Sequence, residues 1–119
     1  MHKKQLIGNY GEKLACKYLE KNNYNILEKN FSCLQGEIDI IAYDVKNKEL
    51  VFFEVKTRTN FNYGFPVEAV NIQKQKHIIN CVKYYIYSRN IQNTFIRIDV
   101  IEIVVNKGKY KLNHLQKVF

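Results

Sequence analysis

The sequence has few of the features that mark secreted, disulfide-bonded or membrane-spanning proteins. Its three cysteines are an odd number, lie far apart and form no Cys-x-x-Cys pair, which argues against a disulfide framework or a zinc ribbon and suits a reducing compartment. No stretch approaches the roughly 20 apolar residues of a membrane span. No long apolar run follows the first six residues, so we expect a cytoplasmic protein without a signal peptide.

Residues that interrupt regular structure are also scarce. The 119 residues include one proline and five glycines, and we find no repeat, low-complexity tract or linker. A chain of this length is near the common size of one domain, so we expect residues 1–119 to form a single domain. Such a domain buries roughly two thirds of its unfolded surface, which gives a core that needs no disulfide staple.

Acidic residues are outnumbered by basic ones. The chain has 11 Asp and Glu residues against 19 Lys and Arg, which gives a formal net charge of +8 and a pI of about 9.4. Because Lys and Arg release condensed counterions from a phosphate backbone, this excess favours a polyanionic partner. A lysine-rich, solvated surface is the alternative, and charge alone does not decide between them.

Apolar periodicity predicts where helices and strands lie along the chain. The predicted helices cover residues 7–21 and 72–87, and the predicted strands cover residues 24–27, 35–43, 49–58, 93–105 and, weakly, 110–112. Residues 59–64 have the composition of a polar loop, and Pro66 suits a helix start or a rigid turn.

The connections between these elements indicate the fold class. The polar residues 44–48 have the length of a hairpin turn, so the strands on either side should be antiparallel neighbours. The second helix is long enough for a crossover that makes strands 49–58 and 93–105 parallel. We therefore expect an α/β fold, with a mixed central sheet flanked by helices in the order α-β-β-β-α-β.

Two of the predicted strands carry acidic residues inside apolar runs, at Asp39 and at Glu54. A strand period of two puts Glu54 and Lys56 on one face, while Phe53 and Val55 point to the other. A buried carboxylate is costly unless a cation meets it, and a divalent metal beside a lysine would serve both acids. The alternative is a strand pair whose charged residues face solvent.

A metal at this position would supply the chemistry of phosphodiester hydrolysis. Asp39 and Glu54 are suited to holding Mg²⁺ or Mn²⁺, and the backbone carbonyl of Val55 could add a third oxygen ligand. Such an ion polarises a phosphoryl oxygen and lowers the pKa of its bound water. Lys56 can orient that water or stabilise developing negative charge. The pattern is typical of a metal-dependent nuclease.

Two further acids are candidates for the same site. Glu12 lies on the first helix beside a stripe of small residues, where close packing against the sheet could bring it to the metal; the alternative is an exposed helical glutamate. Glu37 shares a strand face with Asp39 and could also reach the site, but we interpret it as a structural partner of a backbone group or of Arg58.

Basic and polar residues elsewhere are candidates for contacts with nucleic acid, namely Arg58, Gln73, Lys74 and Lys76. The last three lie on the second predicted helix, where a solvated basic face is the alternative. Arg97 and Asp99 share a face of the long strand 93–105, and we interpret them as pairing with each other within the sheet.

Six short motifs follow one another over about residues 7–104. They are Gly8-x-x-Gly11-Glu12-x-x-Ala15, Gly36-Glu37-Ile38-Asp39-Ile40-Ile41-Ala42, Phe53-Glu54-Val55-Lys56-Thr57-Arg58, Tyr63-Gly64-Phe65-Pro66-x-Glu68-Ala69-Val70, Lys74-Gln75 and Arg97-Ile98-Asp99-Val100. This ordered set resembles the bacterial YraN family, which is similar to Holliday-junction resolvases and restriction endonucleases of the PD-(D/E)xK superfamily.

The resemblance implies a restriction-endonuclease-like fold with Asp39, Glu54 and Lys56 as the catalytic trio and Glu12 as a catalytic acid carried by a helix. It also implies DNA as the partner, with branched or repair intermediates as substrates, and a two-fold homodimer. Two other functions stay open. One is a nucleic-acid-binding domain without catalysis, which the basic charge and the Tyr and Phe residues suit. The other is an interaction domain whose strand acids form ion pairs.

Overall fold

Two helices and one five-stranded mixed sheet make up the described part of the chain. The computed structural model describes residues 3–59 and 72–119, with side chains from residue 8 onward. The elements are α1 (Lys3–Lys21), β1 (Tyr24–Cys33), β2 (Gly36–Asp44), β3 (Glu49–Arg58), α2 (Ile72–Ser88), β4 (Phe95–Asn106) and β5 (Lys109–Leu115). Neither α1 nor α2 is long and apolar enough to cross a membrane. The predicted loop 59–64 (from residue 60) and Pro66 lie outside the described residues.

The strands follow one another in the order β1-β2-β3-β4-β5 across the sheet. The pairs β1–β2, β2–β3 and β4–β5 are antiparallel, whereas β3 and β4 are parallel. Since α2 lies between β3 and β4 in the chain, it forms the crossover that a parallel pair requires. The predicted α/β class, the β2–β3 hairpin and the parallel pair are therefore confirmed.

The edges of the sheet differ most from the prediction. The first strand runs to Cys33 rather than ending at residue 27, and β5 covers seven residues rather than three. In β1 the pairing with β2 shifts by one residue at Leu27, which is a β-bulge. Beyond that bulge β1 is mostly polar, because one face of an edge strand meets water and the apolar alternation is lost there.

The core consists of two apolar layers, one on each face of the sheet. The layer between α1 and the sheet contains ten buried residues: Ala15, Cys16, Leu19, Tyr24, Ile40, Ala42, Val51, Phe53, Ile101 and Ile103. The layer between α2 and the sheet contains another ten: Phe31, Ile38, Ile41, Leu50, Phe52, Ile78, Cys81, Val82, Tyr85 and Ile98. Adjacent residues of β3 therefore alternate between the layers, as the period of two predicts.

A glycine brings α1 close to β3 near the end that carries the candidate residues. Gly11 is buried, and a Cβ atom built at this position would collide with the side chain of Thr57. Ala15 and Leu19 continue the same helix face and are fully buried against the sheet. The predicted small-residue stripe is thus the packing face of α1.

A buried ionic network centres on Arg97 of β4. The guanidinium of Arg97 donates hydrogen bonds at 2.6–3.0 Å to Asp99, Asp44, Glu49 and Tyr24. Burial opposes ionisation of Asp44, but the bonds from Asn47 and Arg97 outweigh it and lower its pKa. The predicted Arg97–Asp99 pair is confirmed, and the rest of the network makes it part of the sheet's structure.

Candidate active site between β2, β3 and α2

Asp39 and Glu54 lie where β2 and β3 diverge. The ladder between these strands runs from Asp44–Glu49 to Ile40–Phe53, so Asp39 and Glu54 are the next residues along it. Instead of a backbone partner, the Val55 N–H donates to the Asp39 carboxylate at 2.7 Å. In a strand the N–H and C=O of one residue point to the same side, so the Val55 carbonyl also faces the β2 side.

A cavity of about 500 Å³ opens at this point. Its lining consists of Gly36, Glu37, Asp39, Glu54, Gln73, Lys74, His77 and Ile78. The first three come from β2, one comes from β3, and the last four come from the first two turns of α2. The hairpin predicted from the sequence therefore supplies both acids, and the crossover helix supplies the opposite wall.

Two ammonium groups meet the Glu54 carboxylate. Lys56 Nζ lies 3.2 Å and Lys74 Nζ 3.0 Å from the same oxygen of Glu54, which is only 8% exposed. Burial and the neighbouring Lys74 lower the pKa of Lys56, although Glu54 opposes that shift. Burial alone would lower the pKa of Lys74, but its contacts with Lys56 and Glu54 raise it. Lys56 is therefore the lysine that gives up its proton more easily.

Asp39 accepts a hydrogen bond from a backbone N–H and lies within electrostatic reach of Lys74. Burial, followed by the nearby charge of Glu54, raises its pKa to about 7, and the hydrogen bond from Val55 only partly offsets this. Two carboxylates that share a site resist ionisation together unless a cation lies between them. The electrostatics of this site thus favour an additional positive charge beside Asp39.

The oxygen donors at this site are two carboxylates and one backbone carbonyl. Among residues 3–59 and 72–119, no group of three or more His, Cys, Asp or Glu side chains is placed to hold an ion. Mg²⁺ needs only one or two carboxylates, because it keeps several of its waters and binds substrate phosphate. Asp39, Glu54 and the Val55 carbonyl are the oxygens here that could hold such an ion.

Glu12 lines a neighbouring cavity rather than this one. That cavity has a volume of about 270 Å³ and is formed with Asn9, Lys13, Cys16, Lys29 and Asn30. Burial raises the pKa of Glu12, and the charges of Glu37 and Glu54 raise it further. The structure therefore brings Glu12 within electrostatic reach of the two strand acids, in a separate cavity.

Comparison with known proteins identifies relatives of the whole chain. The profile of the family described as "Uncharacterised protein family UPF0102" matches residues 11–103. The chain belongs to the UPF0102 family. This is the YraN-like group that the six motifs resemble. A UPF0102 protein of Clostridium perfringens strain 13 is 49% identical over 95% of this chain and 93% of its own length. A UPF0102 protein of Caldanaerobacter subterraneus is 45% identical over 98% of this chain and 96% of its own length.

The four residues of this UPF0102 protein that were predicted to bind nucleic acid differ in their position relative to the cavity. Gln73 and Lys74 line the cavity that contains Asp39. Lys76 is exposed on α2 outside the lining, and Arg58 lies 3.1 Å from Glu102 on the neighbouring strand. The structure thus brings two of these four residues to the two acids.

His77 is the cavity residue that sequence reasoning missed. It is exposed and lies one helical turn after Gln73, so the spacing of four residues was a usable signal. A Cβ atom built on Gly36 would lie 3.5 Å from the Cβ of His77, which shows how closely α2 approaches the start of β2. Gly36 also has a φ of 150°, a conformation that favours glycine.

Proposed function

We propose that this UPF0102 protein is a metal-dependent nuclease that hydrolyses phosphodiester bonds in DNA. One observation carries the proposal: Asp39 and Glu54, from adjacent strands, line one cavity, and two lysines contact Glu54 there. Carboxylates that lack enough positive charge are expensive to bury, which supports an oxygen-ligated divalent cation as the missing partner.

Each residue has a distinct role in this proposal. Asp39, Glu54 and the Val55 carbonyl would hold Mg²⁺ or Mn²⁺, which when bound polarises a phosphoryl oxygen and acidifies a water. Lys56, whose pKa is lowered, would orient the attacking water and accept a proton from it. Lys74 would neutralise the scissile phosphate. Glu12 would keep the field at the site negative and so favour the cation.

The finer assignment of substrate comes from the resemblance to resolvases. We infer that the substrates are branched DNA or repair intermediates, and that the enzyme acts as a two-fold homodimer. A net charge of +8 supports contact with the phosphate backbone. Sedimentation of the purified chain, alone and with a four-way junction, tests the assembly.

A DNA-binding protein without catalysis is the second candidate. It is favoured by the position of Lys56 and Lys74, which already neutralise much of the charge of Glu54. In that case both lysines would hold phosphate, and Asp39 would be a structural acceptor for the Val55 N–H. This function predicts DNA retention without product.

Cleavage of defined substrates separates the two functions. Purified chain is incubated with a labelled four-way junction and a matched linear duplex, with Mg²⁺, with Mn²⁺ or with EDTA. We expect metal-dependent cleavage that falls at least about 100-fold in Asp39→Asn and in Lys56→Met. The exposed Glu20→Gln, which changes a distant carboxylate in the same way, should leave the rate unchanged. Cleavage that survives Asp39→Asn would indicate a contaminating nuclease.

A further inference from the structure

Two cysteine sulfurs meet beside the candidate active site. Cys33 Sγ and Cys81 Sγ lie 2.9 Å apart, although both residues are free thiols. Cys33 ends β1, and Cys81 lies in the middle of α2. The third cysteine, Cys16, is buried in the layer on the other face of the sheet. The fold therefore selects one of the three ways of pairing the cysteines.

We propose that Cys33 and Cys81 form an oxidisable dithiol, which a hydroperoxide converts into a disulfide. A disulfide requires an S–S distance of about 2.05 Å, so the sulfurs need to approach by only about 0.9 Å. Thiols that are close in the folded state react with each other without the cost of closing a loop. This inference concerns the thiols themselves and does not depend on nuclease activity.

The surroundings assign different roles to the two sulfurs. Cys33 is half-buried and lines a cavity of about 450 Å³ with Ser32, Leu34, Gln35 and Tyr84, so a small oxidant can reach it. The Gln35 backbone N–H donates to its sulfur at 3.3 Å. Cys81 is fully buried, and burial together with Cys33 raises its pKa to about 12. Cys33 is thus the attacking thiol and Cys81 the resolving one.

The reaction balances in two steps. The Cys33 sulfur attacks one peroxide oxygen, the O–O bond breaks, and the thiol proton leaves with the released oxygen as water or alcohol. The product is a sulfenic acid on Cys33. The Cys81 sulfur then attacks the Cys33 sulfur, and its proton leaves with the hydroxyl group as water. The two thiols lose two electrons, and the hydroperoxide gains them.

The bond would join two walls of the candidate site. Cys33 precedes the turn that leads into Gly36 and Glu37, and the Gly36 carbonyl lies 3.6 Å from Cys81 Sγ. Cys81 follows His77 by one turn on the helix that supplies Gln73 and Lys74. A disulfide would therefore fix α2 against the start of β2, where both elements line the cavity.

Mapping of the cross-link tests the proposal without any activity measurement. Reduced full-length protein is treated with hydrogen peroxide in its folded state, then unfolded, alkylated and digested. We expect a peptide that joins Cys33 to Cys81, a loss of two hydrogen atoms from the intact mass, and reversal by dithiothreitol. Cys16 should remain alkylatable after unfolding. Chain unfolded in guanidinium before oxidation should instead favour Cys16–Cys33, which closes a much shorter loop.

Variants provide matched controls. Cys16→Ala should form the bond at the wild-type rate, whereas Cys33→Ser should not form it and should leave Cys81 reduced. Circular dichroism of Cys33→Ser confirms that the fold is retained. Three results would overturn the proposal: no cross-link in the folded protein, the same mixture of pairings in folded and unfolded chains, or over-oxidation of Cys33 while Cys81 stays free.

Discussion

At the scale of single residues, the ionised form of Asp39 lowers the stability of the folded chain. Its carboxylate is pushed toward neutrality by burial and by Glu54, and its pKa rises from 3.8 to about 7. The folded chain therefore holds this proton more tightly than the unfolded chain does. The contribution of Asp39 to stability is present below about pH 4 and is lost as pH rises through about 7.

Asp39→Asn should consequently stabilise the metal-free protein at high pH. The asparagine oxygen still accepts the Val55 N–H, but no charge is buried beside Glu54. We expect equal melting temperatures near pH 4 and a gain on the order of 1–2 kcal/mol at pH 8 in EDTA. Added Mn²⁺ should raise the melting temperature of the wild type but not of Asp39→Asn. A variant that is less stable than the wild type at pH 8 would contradict the electrostatic account of this site.

At the scale of helices and strands, the position of α1 depends on Gly11. Alanine normally stabilises a helix by up to about 1 kcal/mol relative to glycine. At Gly11 the added methyl would collide with Thr57, so Gly11→Ala should instead lower the free energy of unfolding by about 1–3 kcal/mol. Gly8 is the matched control on the same helix, because a Cβ there meets no atom within 4 Å, and Gly8→Ala should be stabilising.

A double-mutant cycle measures this contact directly. Chemical denaturation of Gly11→Ala, Thr57→Ala and the double variant should give a favourable coupling energy of at least about 0.5 kcal/mol, because removing the Thr57 hydroxyl and methyl relieves most of the collision. If the two changes are additive, α1 does not depend on this close approach.

The elements also show what the sequence could and could not predict. Asp39, Glu54 and Lys56 come from two strands joined by a short turn, so the period of two and the hairpin were enough to place them together. His77 and the Cys33–Cys81 contact depend on where α2 lies along the sheet. A 3.6-residue period identifies the buried face of a helix but not its position along its partner. The prediction made β1 too short because the polar second half of this edge strand lacks the apolar alternation that indicates a strand.

At the scale of the whole molecule, a chain with a net positive charge places Glu54 in contact with Lys56 and Lys74 at the cavity. A net charge of +8 would attract DNA under the proposed function, but acids at the cavity would repel phosphate if nothing neutralised them. DNA binding should therefore depend on salt and on divalent cations together. In Ca²⁺, a cation that also takes oxygen ligands, affinity for duplex DNA should exceed that in EDTA, and the logarithm of affinity should fall linearly with the logarithm of salt concentration.

Substitution of two lysines on α2 tests whether DNA binds at the cavity. Lys74 lines it, whereas Lys76, two residues later, lies outside the lining and is exposed. Fluorescence anisotropy at several salt concentrations should show that Lys74→Gln reduces the slope of log affinity against log salt by about 0.9, the value for one phosphate contact. Lys76→Gln, with the same change in net charge, should change the slope less. A phosphate held in the cavity would contact Lys74 but not Lys76, so the two substitutions should change the slope by different amounts. Equal changes would mean that DNA binding depends on overall charge and not on the cavity.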